Sequence, residues 1–282
     1  MMRRFGAYQI EDLGDHIFWI REDTSLHMYL IIGNEKAALI DTGLGVGDLK
    51  GCLSSITDKP VIVCATHYHL DHVGGAGNFD EIYISSKDAP KLKDGMRMEA
   101  RKAFLSNIAE TGADVSGFLE HLVPEKDIAC HEINPGDKID LGGRTLEIVD
   151  MTGHTPGSIG YFDNLTGTLF AGDGCNNSTF LFLEDSSDAG AYKQTLINLK
   201  KTLGSRLKRL VIFHDYTFVP LNCIDNVIDC CDNILNGTAE DDEFYTPVEK
   251  NTGAYVKWVK KGGPHRVDGK FGNIAYDTRH LK

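Results

Sequence analysis

The chain has 282 residues, of which 41% are hydrophobic and 25% are charged, and its formal net charge at pH 7 is −12. These values are ordinary for a globular protein and provide enough residues for a large buried core. The negative charge argues against a nucleic-acid-binding surface, because such surfaces use Lys and Arg to neutralise phosphates. No apolar stretch has the length of a membrane span, and no signal-peptide-like apolar segment follows the basic residues 1–5. We therefore expect a cytoplasmic protein that binds neither nucleic acid nor a membrane.

The cysteines agree with a reducing compartment. They are scattered along the chain and form no CxxC pair, which is typical of reduced thiols rather than of a disulfide framework or a zinc knuckle. The seven are Cys52, Cys64, Cys130, Cys175, Cys223, Cys230 and Cys231.

Apolar runs predict a strand-rich first half. Strands are predicted over residues 16–20, 28–32 and 37–40, with Gly and Asn residues at hairpin-like turns. A helix over about 46–56 and a buried strand over 61–65 follow. This order indicates a meander of strands that leads into a βαβ unit.

Directly behind the strand predicted over 61–65, the segment Thr66-His67-Tyr68-His69-Leu70-Asp71-His72 contains three histidines and one aspartate. Imidazole and carboxylate groups hold zinc-like ions, and loops at strand ends can direct several side chains to one point. A histidine taken singly is more often hydrogen-bonded at a half-exposed position than bound to a metal. For four such groups at this spacing, a site for one ion, or for two ions that share the cluster, is the better interpretation.

The pattern of residues 87–125 predicts a helical insertion between the two halves of the chain. Apolar side chains recur there at helical spacing, namely Met96, Ala100, Ala103, Phe104 and Ile108. One interpretation is plain packing of this stripe against the body of the protein. The other is a partial cover over a pocket, because the insertion lies between segments that contain candidate metal ligands.

The second half coarsely repeats the first. Its predicted strands are 137–141, 145–149, 160–163, 168–171 and 210–213, and a helix over 189–203 precedes the last of them. Two similar halves of strands and helices imply two mixed sheets packed face to face with helices outside. The predicted fold class is therefore α/β, a four-layer αββα sandwich.

Further candidate ligands follow strands of the second half: His154, Asp173 and His214. Together with the first cluster they produce the order His-x-His-x-Asp-His, a lone His, an Asp and a last His. This ordered set closely resembles that of the metallo-β-lactamase superfamily and extends across most of the chain. The resemblance implies the αββα fold of that family and a single metallo-β-lactamase-like hydrolase domain over residues 1–282.

The resemblance also implies two divalent ions, with zinc as the default and iron or manganese as alternatives. Its ligand sets are His67, His69 and His154 for one ion, Asp71, His72 and His214 for the other, and Asp173 as the bridge. Asp71 is further expected to be catalytic, by moving a proton after the attack on the substrate.

Two more residues have open interpretations. Asp41, in Asp41-Thr42-Gly43, resembles the family's aspartate that orients the metal-binding loop, and simple turn chemistry is the alternative. Tyr216, close after His214, is a candidate for a hydrogen bond to substrate, and a packed tyrosine is the alternative.

The function implied by this resemblance is hydrolysis of a small thioester, ester or lactone. Two neighbouring ions share one water and lower its pKa to about neutral, so that a metal-bridging hydroxide becomes available as nucleophile. Alternatives are phosphodiesterase or β-lactam hydrolase activity at the same site, or a non-catalytic metal- or ligand-binding protein. Asp173 argues against β-lactams, since many β-lactamases of this family have Cys or a non-ligand there. The expected partner is a small-molecule substrate, and the oligomeric state stays open.

Within the superfamily the chain resembles the glyoxalase II-like hydrolases and the related lactonases, and its C-terminal region departs from the glyoxalase II pattern. Glyoxalase II, a thioesterase of this superfamily, ends in a helical glutathione-binding domain, whereas residues 252–277 are rich in Gly and aromatic residues and predict short strands or loops. The region is also basic through Lys257, Lys260, Lys261, Arg266 and Lys270. These charges indicate either a solvated face or a surface that meets an anionic substrate.

Overall fold

The structure is a computed structural model that describes residues 2–109, 114–215, 217–240, 242–243 and 255–279. It divides into two compact units, residues 1–147 and 148–282. Within these described ranges, no helix combines the length and the apolar composition needed to cross a membrane.

The first unit contains an eight-stranded sheet whose strands lie in chain order. They are β1 (Arg3–Phe5), β2 (Tyr8–Asp12), β3 (Ile17–Glu22), β4 (His27–Ile32), β5 (Ala37–Ile40), β6 (Val61–Cys64), β7 (Glu81–Ser85) and β8 (Ala129–Ile133). Pairing is antiparallel from β1 to β5 and parallel from β5 to β8. The helices are α1 (Leu49–Ser54), α2 (Leu70–Val73), α3 (Leu92–Met96), α4 (Met98–Ala109) and α5 (Ser116–Leu119).

The core of this unit forms around continuous apolar strands. All of β5 is buried, as is β4 except Ile32, and such uninterrupted burial is typical of strands that are covered on both faces. Helix α1 begins at Leu49, later than predicted, because Gly45 and Gly47 have φ values of 87° and 96° that an α-helix excludes. Asp48 then caps α1 by accepting a hydrogen bond from Gly51 N–H at 2.8 Å.

The second unit contains most of a six-stranded sheet and all of a four-stranded sheet. The strands of these two sheets, of which β9 belongs to the first unit, are β9 (Lys138–Asp140), β10 (Thr145–Asp150), β11 (Ile159–Asp163), β12 (Thr168–Phe170), β13 (Thr179–Leu181), β14 (Arg209–Val211), β15 (Phe218–Val219), β16 (Asp242–Glu243), β17 (Val256–Trp258) and β18 (Ile274–Asp277). The larger sheet has the order β15-β14-β12-β11-β10-β9, and the division between the units falls inside β10. The smaller sheet has the order β13-β18-β17-β16.

Two long helices, α6 (Ala189–Leu203) and α7 (Cys223–Asn236), pack against each other in the second unit. Asp188 caps α6 by accepting from Ala191 N–H at 2.8 Å. Gly237 ends α7 in the left-handed conformation at φ 64°. Both helices contribute to one apolar core, which also contains Leu169 of β12.

The mixed α/β class and the predicted elements are confirmed, with shifts of a few residues at their ends. The helix predicted over 189–203 coincides with α6, and the insertion over 87–125 contains α3, α4 and α5. The tail forms β17 and β18, an antiparallel pair, in place of helices; residues 252–254 lie outside the described part. The prediction omitted α7, since Asp, Asn and Cys fill much of its sequence and have low helix propensity.

Candidate metal centre

In the first unit, four of the predicted ligands lie on one short loop between β6 and the end of α2. His67 and His72 are buried, at 1% exposure each. His67 Nε2 lies 3.1 Å from His69 Nδ1. Two nitrogens that each lie about 2.0–2.1 Å from a tetrahedral zinc ion are roughly 3.3 Å apart, so this pair has the separation of two ligands of one ion.

Nδ1 of His67 and Nδ1 of His72 each contact a neighbouring polar side chain. His72 Nδ1 lies 2.6 Å from Asp41 Oδ2, and since a carboxylate only accepts, Nδ1 carries the proton and Nε2 keeps its lone pair. His72 Nε2 in turn lies 3.8 Å from Asp71 Oδ2. His67 Nδ1 contacts the Thr66 hydroxyl at 3.0 Å. The rings of His67 and His72 are thus oriented by hydrogen bonds at Nδ1, on the side away from Nε2.

Asp41 organises this loop from the end of β5. Its carboxylate accepts from Thr66 N–H at 2.7 Å and from the Thr66 hydroxyl at 2.9 Å, in addition to His72. Asp41 is fully buried and has a φ of 62°, a left-handed conformation that few residues with a side chain adopt. Burial raises the pKa of its carboxyl, while His72 and Thr66 act in the opposite direction. These contacts support the loop-orienting interpretation of Asp41 over simple turn chemistry.

In the second unit, the remaining candidates come from three separate turns that follow β10, β12 and β14. Asp173 Oδ1 lies 3.2 Å from His214 Nε2, and Asp173 Oδ2 lies 3.8 Å from His154 Nε2. One carboxylate therefore directs its two oxygens at two histidines. Asn176 Nδ2 donates to Asp173 Oδ1 at 3.1 Å, and His154 Nδ1 donates to the Phe180 carbonyl oxygen at 2.9 Å. As for His72, a proton on Nδ1 places the lone pair of the neutral His154 ring on Nε2, the nitrogen that faces Asp173.

The structure therefore groups His67, His69, Asp71 and His72 with Asp41 in one unit, and His154, Asp173 and His214 in the other. Tyr216 lies outside the described residues. Sequence reasoning missed Asn176 and Ser186, whose hydroxyl donates to the His154 carbonyl at 2.9 Å. A polar residue three positions after Asp173 was the available signal for Asn176, and no signal pointed to Ser186.

The helical insertion packs against the ligand loop of the first unit. Asp88, which is buried, accepts from Tyr68 N–H at 3.2 Å. Gly95 of α3 lies so close to the loop that a Cβ there would be 1.9 Å from the Tyr68 carbonyl oxygen. Leu70 packs on an apolar cluster that contains Leu105 of α4. These contacts support the packing interpretation of the insertion, and its role as a cover stays a prediction.

Comparison with known proteins assigns the family. The model of the metallo-beta-lactamase superfamily matches residues 23–207. Acyl-coenzyme A thioesterase MBLAC2 from Bos taurus is 32% identical over 184 residues, which are 59% of this chain and 66% of that protein. Hydroxyacylglutathione hydrolase from Pseudomonas putida is 27% identical over 171 residues, 58% of this chain and 51% of that protein. The chain thus spans less than two thirds of the length of these relatives.

A solved structure shows the same fold. The metallo-beta-lactamase from Pontibacter korlensis has a TM-score of 0.59 and 17% identity, and the match covers 80% of this chain and 99% of that chain. At this identity the likeness concerns the fold alone. The family match covers most of the chain and includes the first ligand loop, His154 and Asp173. The predicted resemblance is confirmed: the chain belongs to the metallo-beta-lactamase superfamily.

Proposed function

We propose that the protein is a metal-dependent hydrolase with a dinuclear centre that cleaves a small thioester, ester or lactone. The observation that carries this proposal is the orientation of the buried histidines. His72 and His154 both donate from Nδ1 to an oxygen acceptor, which places the lone pair of each neutral ring on Nε2, the atom type that binds a divalent ion. A purely structural histidine has no need of this arrangement in two separate segments of the chain.

The proposed ligand sets are those implied by the resemblance. Each candidate offers one ligand atom of a type that holds divalent ions. The sets are His67, His69 and His154 for the first ion, Asp71, His72 and His214 for the second, and Asp173 between them. The two directions of the Asp173 carboxylate, toward His154 and toward His214, support its bridging role.

The chemistry follows from this donor set. Two bound divalent ions would supply a hydroxide nucleophile at neutral pH and polarise the scissile carbonyl. The protein's own contribution is to hold the histidine rings rigidly through Asp41, Thr66 and the Phe180 carbonyl. Asp71 is partly exposed, with 19% of its side chain accessible, and this exposure supports the proposed role of Asp71 in carrying a proton between substrate and solvent.

Among the substrate classes, a thioester is supported by the names of the relatives, of which one is an acyl-coenzyme A thioesterase. Zinc is the proposed ion, with iron and manganese as alternatives, because imidazole and carboxylate ligands suit all three. A single domain over residues 1–282, a cytoplasmic location and a substrate contact by Tyr216 stay predictions.

The test combines elemental analysis with an activity panel. The purified protein is assayed for bound metal and for hydrolysis of an acyl-coenzyme A, a carboxyl ester, a lactone, a β-lactam and a phosphodiester. We expect two ions per chain and preferential thioester cleavage that a chelator abolishes and added zinc restores. If the protein instead prefers a phosphodiester or a β-lactam, that substrate class replaces the thioester in the proposal. Absence of metal and of turnover after reconstitution would reject the hydrolase proposal in favour of a binding protein.

A further inference from the structure

Glu22, the last residue of β3, is fully buried although it bears a carboxylate. Its Oε1 accepts hydrogen bonds from Gly45 N–H at 3.0 Å and Val46 N–H at 2.7 Å, and its Oε2 accepts from Leu44 N–H at 3.2 Å. The Thr24 hydroxyl also donates to Oε2. One carboxylate thus satisfies three consecutive backbone donors.

These donors belong to residues 41–46, which we name the support loop. The loop is also held from its opposite edge. Arg101 of α4, with no exposed surface, donates from Nη1 to the Leu44 carbonyl oxygen at 3.3 Å. Val123 N–H donates to the Gly45 carbonyl oxygen at 2.8 Å. Glu22 therefore binds the N–H side of a segment whose carbonyl groups bind the helical insertion.

The support loop is in direct contact with the ligand loop. Thr42 donates to the His72 carbonyl oxygen from its N–H at 2.7 Å and from its hydroxyl at 3.0 Å. Gly75 N–H donates to the Gly43 carbonyl oxygen at 3.2 Å. A Cβ at Gly45 would lie 2.7 Å from the Gly74 carbonyl oxygen, so the two backbones touch without an intervening side chain. A shift of the support loop is therefore transmitted to His72 and to the turn behind it.

We propose that Glu22 is a positioning residue for the metal centre, which acts through the support loop on His72 and thereby sets the affinity for metal. The inference rests on the proposed function, because it concerns the same ligands. It assigns a role to a buried acid that lies outside the predicted ligand sets and whose carboxylate accepts hydrogen bonds from Thr24 and the support loop.

A carboxylate suits this position because three backbone N–H groups and one hydroxyl all donate to it. A carboxylate offers lone pairs in both directions, whereas the amide of Gln accepts only through its oxygen. If that oxygen serves Gly45 and Val46, the amide NH2 group faces Leu44 N–H, and two donors oppose each other. Glu22→Gln therefore keeps the size of the side chain and removes the anchor of Leu44.

The experiment measures zinc affinity of the metal-free full chain by competition with a chromophoric chelator, next to kcat and KM. Circular dichroism and thermal unfolding check the fold. Removal of a residue that hydrogen-bonds to a metal ligand typically changes metal affinity or activity by about 10–100-fold. For Glu22→Gln we expect zinc affinity to fall by about tenfold. We also expect kcat to change by a larger factor than KM. In the metal-free variant, hydrogen exchange should rise at residues 41–46 and 72–75.

The matched control is Asp163→Asn. Asp163 is also fully buried and also accepts from a threonine hydroxyl, that of Thr166, and from a backbone donor, Leu165 N–H at 3.2 Å. We expect this variant to keep wild-type zinc affinity and kcat even if its melting temperature falls. Equal losses of zinc affinity in both variants would show a general stability effect and overturn the inference.

A second variant covers the case in which Glu22→Gln does not fold. Thr24→Val removes the hydroxyl that orients the carboxylate and keeps its shape, and we expect a smaller loss in the same direction. If the wild type binds no zinc, the proposed function itself fails. If the wild type binds zinc and the folded Glu22→Gln variant binds it equally well, only the positioning role of Glu22 is overturned. If Glu22→Gln does not fold, the same conclusion follows from equal zinc binding by Thr24→Val.

Discussion

The two units hold their candidate ligands in different ways. In the first unit, one loop provides four candidates. The buried carboxylate of Asp41 binds this loop directly, and that of Glu22 binds the support loop, which contacts the ligand loop. In the second unit, three separate turns provide one candidate each, and the contacts with supporting residues include hydrogen bonds from Asn176 to Asp173, from Ser186 to the His154 carbonyl and from His154 to the Phe180 carbonyl. The supporting bonds of the first group go to buried carboxylates, and such charged hydrogen bonds are stronger than the neutral bonds to the His154 and Phe180 carbonyls in the second. We therefore expect the first unit to lose more function when its supporting residues are changed.

The largest effect should come from a ligand shared by both proposed ions. Asp173→Ala removes the carboxylate that faces His154 and His214, and we expect kcat/KM to fall by on the order of a thousandfold, equivalent to about 4 kcal/mol. Metal content should fall below two ions per chain, while circular dichroism stays that of the wild type. Wild-type turnover in the folded variant would reject the ligand assignment in the second unit.

Supporting residues test the difference between the units directly. Asp41→Asn removes the charged acceptor of His72 Nδ1 and should lower kcat/KM by about 10–100-fold. Ser186→Ala removes a neutral hydrogen bond to the His154 carbonyl, which is worth about 1 kcal/mol, and should lower kcat/KM by less than tenfold. Kinetics of both variants, with zinc in excess, provide the measurement. A larger loss in Ser186→Ala than in Asp41→Asn would refute the difference we infer.

The packing of the insertion on the ligand loop can be tested with two glycines of its helices. Gly95→Ala places a Cβ 1.9 Å from the Tyr68 carbonyl oxygen. This overpacking should lower the free energy of unfolding by about 1–3 kcal/mol. Gly117→Ala, in α5, meets nothing within 4 Å and should be neutral or stabilising by up to about 1 kcal/mol. Urea unfolding measures both, and equal stabilities would argue against a close contact between insertion and loop.

The smallest effect is a pH dependence of stability. Burial raises the pKa of Glu22 from its ordinary value of 4.5, while Thr24 and the backbone donors act against this rise. Because the native pKa is the higher one, the stabilisation from protonated Glu22 is complete below 4.5 and is lost as pH rises through the native pKa.

The corresponding measurement is urea unfolding of the metal-free wild type and Glu22→Gln at a series of pH values. We compare the difference between the two free energies of unfolding, wild type minus variant. This difference should fall as pH rises from 4.5 through the native pKa of Glu22, by at most about 1.4 kcal/mol per pH unit. A difference that stays constant with pH would contradict the raised pKa of Glu22.

Much of the fold and site was predictable because it depends on local patterns. Continuous apolar runs predicted β4, β5 and β6, and the dense cluster from His67 to His72 marked the first ligand group without reference to other segments. The second ligand group was different. His154 and His214 are lone histidines, and only the order of motifs that resembles the family distinguished them from the other histidines of the chain.

The sequence alone determined the α/β class and the family and indicated the candidate ligands, because periodicity and ordered motifs are properties of neighbouring residues. Only the tertiary structure decided which groups support the ligands. Asp41 reaches His72, Glu22 reaches Leu44, and Arg101 is buried against the support loop although nothing in its local sequence distinguishes it from an exposed arginine. Hydrogen-bond partners far apart in the chain depend on how strands and helices pack, and this packing cannot be predicted from local sequence patterns.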